Sequence, residues 1–160
     1  MAQEMKSLAS RFWIYQKERF PIFAHGLMIA AFTFSAVSYS RICRKVEGFI
    51  DLSDFFIGVF TTVSLFFLVR VFDEFKDQED DARYRKYLPV PRGLISLQEL
   101  RSIGILVGLI QIGLLIGLQA KMLLPYAVVM AYLLLMGVEF FISKWLKAHH
   151  LFYILSHMFI

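Results

Sequence analysis

The sequence predicts an all-α membrane protein, a polytopic bundle of about four complete transmembrane helices plus a partial fifth. The first observation is composition: 58% of the 160 residues are hydrophobic, against about 45–50% in soluble domains. The second is that the apolar residues form four continuous runs, at 21–40, 55–72, 102–119 and 123–142. The third is that these runs lack the alternating pattern of barrel strands. A soluble domain is excluded, because a chain of this size cannot bury so much apolar surface.

Each of the four runs is long enough to cross a bilayer as a helix. They contain 18 to 20 residues, and a helix rises about 1.5 Å per residue across a hydrocarbon core of about 30 Å. A fifth run, 151–160, covers only about half of that thickness. We therefore expect a chain truncated within its fifth span. The lone cysteine, Cys43, excludes a disulfide scaffold.

Residues 1–20 precede the bundle of 21–160 and are expected to form an interfacial N-terminal segment. Their basic and aromatic residues are interspersed, which is typical of an amphipathic helix at the headgroup level. Thirteen of the 17 Lys and Arg residues fall in segments that share one side if the spans alternate. The positive-inside rule therefore predicts a cytoplasmic N-terminus and a cytoplasmic 73–101 loop. Basic residues that flank apolar runs also favour a lipid bilayer over nucleic acid as the partner.

The most informative stretch follows the second run. Residues 73–81 contain six of the 13 acidic residues, and Asp73, Asp77 and Asp81 are spaced four residues apart. On a helix that continues out of the second span, these three side chains lie along one face, about 6 Å apart at each step. Like charges at this spacing repel each other, and charge is costly at the membrane edge. A structural role therefore explains the pattern poorly.

A hard cation would relieve this repulsion. Carboxylates without cysteine or clustered histidine suit Mg²⁺, which takes one or two carboxylates together with water and substrate phosphates. The basic residues within 82–96 could then hold the remaining oxygens of a diphosphate. The spacing leaves open a second interpretation, in which a solvated acidic loop is paired with its basic neighbours. Positive-inside topology would by itself account for most of those basic residues.

Several other residues of the spans and loops carry local predictions. Gln111, in the middle of the third run, is expected to form hydrogen bonds between helices. Ser96 and Glu99 form a plausible capping box at the start of that helix. Glu139 is a functional candidate by default, unless a pair with Lys144, about one turn away, satisfies it. Close helix packing is predicted at a set of glycines spaced as two small-xxx-small pairs, namely Gly104, Gly108, Gly113 and Gly117.

The aspartate ladder resembles the first aspartate-rich motif of the UbiA-type intramembrane prenyltransferases. That motif has Asn or Asp first and then two aspartates at four-residue steps, as in Asp73, Asp77 and Asp81 at the end of the second helix. The loop Pro-Arg-Gly-Leu-Ile-Ser at 91–96 is similar to the loop that leads into the third helix of the family. The resemblance covers four helices and one loop, roughly the first half of a family member.

The resemblance implies a specific chemistry. Family members are nine-helix bundles in which Mg²⁺ bridges two aspartate-rich loops to a prenyl diphosphate, and a lipophilic, often aromatic acceptor takes up the prenyl group. Carried over to this chain, Asp73, Asp77 and Asp81 would be metal-site residues. No side chain would act as a catalytic nucleophile. The candidates for holding the diphosphate would be Arg70, Arg85, Lys86 and Arg92.

The chain departs from the family pattern in two places. Leu88 precedes the first loop proline, Pro89, where the family often has arginine. No second aspartate-rich motif follows Asp81, because Glu99 and Glu139 are the only later acidic residues. We therefore expect this chain to be inactive alone. Two other functions stay open, a non-catalytic membrane assembly or scaffold protein and a divalent-cation transporter. A transporter should carry its acidic residues near the bilayer midplane rather than at one edge.

Overall fold

The protein is an all-α bundle. The computed structural model describes residues 7–158 and is 81% helical, with no strands in that range. Its eight α-helices, in chain order, are α1 (Leu8–Arg19), α2 (Ile22–Cys43), α3 (Leu52–Lys76), α4 (Gln78–Tyr84), α5 (Leu97–Leu118), α6 (Leu123–Gly137), α7 (Ser143–Ala148) and α8 (His150–His157). Short 3-10 turns at Ala120–Met122 and Glu139–Phe141 flank α6.

Four of these segments are long and apolar enough to cross a membrane, as the sequence predicts. They are Ile22–Cys43, Leu52–Lys76, Leu97–Leu118 and Ala120–Gly137. Their large apolar side chains are mostly exposed, and Phe23 is an example with 78% of its surface accessible. In water such a surface would be strongly unfavourable, whereas lipid tails solvate it. The chain is therefore an integral membrane protein, and its environment is a lipid bilayer.

Helix α3 is the central element of the bundle, because it packs against α2, α5 and α6. The larger core cluster lies on one face of α3 and includes Phe67 and Val71, packed against Ile95 and Leu100. A second cluster joins Leu68 of α3 to the face of α6. Each of these side chains is almost fully buried, so the helices are held by a continuous apolar seam beside α3.

Gln111 confirms the prediction of a hydrogen bond between helices. It is fully buried, and its Nε2 donates to Ser64 Oγ of α3 at 2.7 Å. Its Oε1 accepts a hydrogen bond from the Tyr126 hydroxyl of α6 at 2.8 Å. One amide side chain therefore joins three spans inside the bundle, where its polar atoms need partners from the protein.

The start of α5 also follows its prediction. Ser96 Oγ accepts from the backbone N–H of Glu99, and the Glu99 carboxylate accepts from the backbone N–H of Ser96, which completes the capping box. The glycines of α5 differ from the prediction. A Cβ on Gly104 would lie 3.5 Å from a Leu68 methyl, but one on Gly108, Gly113 or Gly117 would meet nothing within 4 Å. Of these four glycines, only Gly104 therefore marks a close approach between helices.

The fourth span is shorter than the apolar run that encodes it. The run continues to residue 142, but α6 ends at Gly137. Glu139, Phe140 and Phe141 then have positive φ angles of 49°, 53° and 62°, a left-handed conformation that no α-helix can include. Hydropathy does not reveal such a break, because the apolar run continues through Phe140, Phe141 and Ile142.

The N-terminal segment contains a helix that is partly packed into the bundle. Helix α1 packs one face into the bundle, where Tyr15 is completely buried against Phe67 and Val71. The predicted segment 1–20 begins at residues that lie outside the described range. The partial fifth run is the helix α8, which ends at His157, and residues 159–160 also lie outside that range.

Candidate functional site

The aspartate ladder lies where α3 passes into α4. Asp77 separates the two helices, but the backbone keeps the helical hydrogen-bond pattern, with Asp77 N–H bonded to Asp73 O at 2.9 Å and Asp81 N–H bonded to Asp77 O at 2.8 Å. Four residues make slightly more than one turn, so each step of the ladder advances about 40° around the axis. The side chain of Asp73 is accordingly 30% exposed, whereas that of Asp81 is 3% exposed.

Glu74 is the carboxylate that the structure buries most deeply beside the ladder, and the sequence reasoning missed it. It is 2% exposed and accepts a hydrogen bond from Arg19 Nε at 2.6 Å and one from Arg70 Nη2 at 3.1 Å. The hydroxyl of Tyr15 lies 3.5 Å from Glu74 Oε1. Burial and the Glu74 charge together raise the pKa of Tyr15, so this phenol stays protonated and donates.

A sequence signal for Glu74 does exist. The buried face of α3 carries Phe67 and Val71, and Glu74 follows them at the i+7 and i+3 positions of the same face. Asp81 is seven residues further on and continues this stripe. A carboxylate on an apolar stripe needs buried cationic partners. Arg19, the closest of them, comes from a helix 55 residues earlier, which local spacing cannot reveal.

The ladder aspartates have different surroundings. Asp73 pairs with Arg70 and Lys76 at 3.5 Å each. Asp81 pairs with Arg85 at 3.2 Å and with Arg19 at 3.9 Å. Asp81 also borders a hollow of about 130 Å³, together with Glu74. Asp73 and Asp77 do not line that hollow.

Asp77, the middle rung, is half-buried and makes no salt bridge or side-chain hydrogen bond within residues 7–158. Burial raises the pKa of Asp77, the nearby Lys76 opposes this change, and the charges of Asp73 and Asp81 raise the pKa further. The Asp77 carboxylate is therefore the one in the ladder whose negative charge is least compensated.

The four basic candidates separate into two groups. Arg70 bridges Asp73 and Glu74, and Arg85 lies on Asp81 with 56% of its side chain exposed. Lys86 is exposed next to Arg85. Arg92 lies elsewhere, because its guanidinium makes two hydrogen bonds to Glu18 of α1, at 2.7 and 2.9 Å.

Hydrogen bonding by Glu18 raises the pKa of Arg92. A second arginine contact fastens α1 in the same way, since Arg11 donates to Glu99 at 2.6 and 3.0 Å. The second half of the loop and the start of α5 are thus tied to the N-terminal helix. This bracing keeps the loop beside the ladder without using the ladder carboxylates.

The donor chemistry of the ladder fits Mg²⁺ in part. No three Asp, Glu, His or Cys side chains within 7–158 are grouped closely enough to hold a metal ion by themselves. Mg²⁺ commonly takes only one or two protein carboxylates and completes its octahedron with phosphate oxygens and water. Asp77, with adjacent Asp73, offers such an incomplete set of hard oxygen ligands.

Glu139 does not form the expected ion pair with Lys144. It is 4% exposed at the left-handed break after α6, and its ion-pair partner is Lys147 at 4.0 Å, rather than Lys144. Because the chain turns at residues 139–141, the helix that would bring Lys144 one turn away is interrupted.

The comparisons with known proteins do not identify a family. No protein-family model matches the chain, and neither the curated proteins nor the solved structures include a match to it.

Proposed function

We propose that this chain contributes the first metal–diphosphate site of a Mg²⁺-dependent intramembrane prenyltransferase of the UbiA type. The observation that carries the proposal is the uncompensated Asp77 carboxylate, half-buried between two other rungs of the ladder at the membrane edge. A cation at this position would stabilise the ionised Asp77 carboxylate against burial, which is the main cause of its raised pKa, and against repulsion by Asp73 and Asp81. The resemblance of Asp73, Asp77 and Asp81 to the family motif supplies the reaction class.

The proposal gives each side chain a defined task. Asp77 and Asp73 hold the cation, while Asp81 keeps Arg85 beside the site through its 3.2 Å ion pair. The exposed Lys86 and the N–H groups of Arg85 that do not contact Asp81 would then be donors for phosphate oxygens. A bound Mg²⁺ would stabilise the negative charge that develops on the departing diphosphate.

Arg70 has a positioning task in this scheme. Its guanidinium contacts both Asp73 and Glu74, so it fixes the exposed rung relative to the buried network. The substrate would then be a prenyl diphosphate with its charged end at the membrane edge and its chain among the lipid-facing helices. The acceptor would be a lipophilic molecule, such as an aromatic ring compound, that reaches the same edge from the bilayer.

The decisive experiment is Mg²⁺-dependent binding of a prenyl diphosphate to the purified full chain, measured by isothermal titration calorimetry in detergent micelles. We expect Asp77→Asn to weaken binding at least tenfold, because it removes the least compensated ligand. Asp80→Asn is the matched control, since Asp80 is an exposed carboxylate three residues away, outside the ladder. Equal binding by both variants, or binding that persists in a chelator, would remove the basis of the proposal.

A second function, a non-catalytic membrane assembly or scaffold protein, is favoured by a different observation. Three carboxylates of the region, Asp73, Glu74 and Asp81, are already in ion pairs. A purely structural role accounts for these pairs, because Arg19 of α1 contacts Glu74 of α3 and Asp81 of α4 and so holds the three helices together. Absence of any Mg²⁺-dependent diphosphate binding by the wild-type chain, with its thermal stability unaffected by Mg²⁺, would select this function over the enzyme.

A further inference from the structure

A second potential binding site lies at the other end of α3, about a whole membrane thickness from the aspartate ladder. A cavity of about 540 Å³ opens there between the end of α2, the start of α3 and the adjoining ends of α5 and α6. Its volume falls within the range of small-molecule sites, about 300–1,000 Å³. The proposed prenyltransferase site does not use any residue of this cavity, which is called the Arg41–Arg44 cavity below.

The interior of the Arg41–Arg44 cavity is mostly apolar. Val37, Ile57, Leu65, Leu115 and Val129 line its walls. Near the floor, Tyr126 is occupied by its hydrogen bond to Gln111. The interior therefore suits a hydrocarbon chain, which gains dispersion contacts and requires no hydrogen bonds.

Two arginines and two aspartates line the mouth of the cavity, and the arginines keep hydrogen-bond donors for a ligand. Arg41 donates Nη2 to the Glu47 and Gly48 carbonyls, and Arg44 donates Nε to the Ser40 carbonyl. Neither guanidinium forms an ion pair in the part of the chain that the structure describes. Both arginines therefore keep N–H donors for an anion.

The two carboxylates at the same mouth are already occupied. Asp51 caps α3, since its Oδ1 accepts from the Ser53 hydroxyl at 2.5 Å and from the backbone N–H groups of Asp54 and Ser53 at 3.2 and 2.8 Å. These hydrogen bonds, above all the one from the Ser53 hydroxyl, lower the pKa of Asp51. Asp54 accepts a hydrogen bond from the Gln119 amide. The two carboxylates are thus held by donors of the chain itself, whereas the two arginines keep N–H donors beyond those that bond to backbone carbonyls.

We propose that the Arg41–Arg44 cavity binds one anionic phospholipid, with the headgroup phosphate between Arg41 and Arg44 and an acyl chain inside the cavity. Charge complementarity selects the headgroup, because a zwitterionic lipid adds a cation that these two arginines repel. The apolar walls select a chain-bearing phosphate over free inorganic phosphate.

The test is native mass spectrometry of the delipidated full chain, titrated with dioleoyl phosphatidylglycerol or dioleoyl phosphatidylcholine. We expect the wild type to prefer phosphatidylglycerol and Arg41→Gln/Arg44→Gln to lose at least about tenfold in affinity for it. The matched control is Lys45→Gln/Lys121→Gln, which removes two charges from the same membrane side without touching the cavity lining. The control is expected to bind within about threefold of the wild type.

Two further measurements separate lipid binding from misfolding and from simple anion binding. Arg41 supports the loop that follows α2, so Arg44→Gln alone is measured as well, and Val37→Phe fills the cavity without changing charge. We expect both to weaken phosphatidylglycerol binding, and we expect inorganic phosphate at equal concentration not to displace the lipid. The proposal is overturned if Val37→Phe binds like the wild type, if phosphate displaces the lipid, or if the lysine control loses as much affinity as the arginine variant.

Discussion

The two ends of α3 show opposite ways of handling charge at a membrane edge. At the C-terminal end, Glu74 and Asp81 are almost fully buried and are held by arginines from α1, α3 and the segment after α4. At the N-terminal end, Arg41 and Arg44 have no carboxylate partner in the described structure and face an open cavity. At the first end most of the charges are in ion pairs and Asp77 is the exception, whereas at the second end neither arginine has an ion-pair partner among the described residues. The energetic consequences of substitution should therefore differ between the two ends.

The largest effect is expected at Glu74, where a buried charge network can be broken at its centre. Glu74→Ala leaves Arg19 and Arg70 close together without the carboxylate that both contact. We expect a loss of about 3–5 kcal/mol in the free energy of unfolding. Denaturation of the purified chain in detergent micelles measures it. Glu79→Ala, an exposed change in the next helical turn, should stay within about 0.5 kcal/mol, and equal losses would contradict the comparison.

A smaller effect is expected near the floor of the Arg41–Arg44 cavity. Gln111→Leu removes the amide that joins Ser64 and Tyr126, and leaves those two hydroxyls without this partner. We expect a loss of about 1 kcal/mol, since hydrogen bonds between membrane helices are individually modest. Gln98→Leu makes the same chemical change at an exposed position of the same helix. An unfolding midpoint shifted equally by both variants would show that Gln111 acts through hydrophobicity alone.

The ion pair between Arg92 and Glu18 allows an exposed pair to be compared with the buried Glu74 network. Both side chains are more than a third exposed, and water screens their attraction. Arg92→Gln should therefore cost only about 0.5–1 kcal/mol, far less than Glu74→Ala. Limited proteolysis within residues 1–20 provides a second measurement, because loss of the pair loosens α1. Lys86→Gln, an exposed change in the same loop, should leave both measurements unaltered.

The smallest effect, opposite in sign, is expected at Asp77. Its pKa is raised in the folded protein, chiefly by burial, so the folded state binds this proton more tightly than the unfolded chain does. Stability from this group is therefore present below its ordinary pKa of 3.8 and is lost as pH rises through the folded value. Asp77→Asn should stabilise the metal-free chain by about 0.5 kcal/mol at pH 7. Thermal unfolding at pH 7 and pH 4 tests this, and an advantage that persists undiminished at pH 4 would contradict it.

The spans and the local caps could be predicted from sequence because their causes are local. Four apolar runs predict four helices, Ser96 and Glu99 predict a capping box, and a mid-span Gln111 predicts a hydrogen bond between helices. The spans depend on continuous apolar runs, and the capping box depends on residues within one turn. Gln111 is a polar group in lipid, which must find a hydrogen-bond partner. All three causes can be identified from the local sequence.

The partners in the charged network could not be predicted, because they come from distant parts of the chain. Spacing alone groups Asp73 with Asp77 and Asp81, but α1 covers the face that carries Glu74 and Asp81 and leaves Asp73 partly exposed. The left-handed run at residues 139–141 was also missed, since it depends on how the end of α6 packs. The assignment of Asp73, Asp77 and Asp81 to a metal stays a prediction.

The docking of α1 has a consequence for the order in which the protein is made. Arg19, Glu18 and Arg11 contact residues that follow them by 55, 74 and 88 positions. The ribosome therefore releases this helix long before Glu74, Arg92 and Glu99 exist to receive it. Contacts of such long sequence separation are slow to form, so we expect α1 to dock only after α3 and the start of α5 have been synthesised.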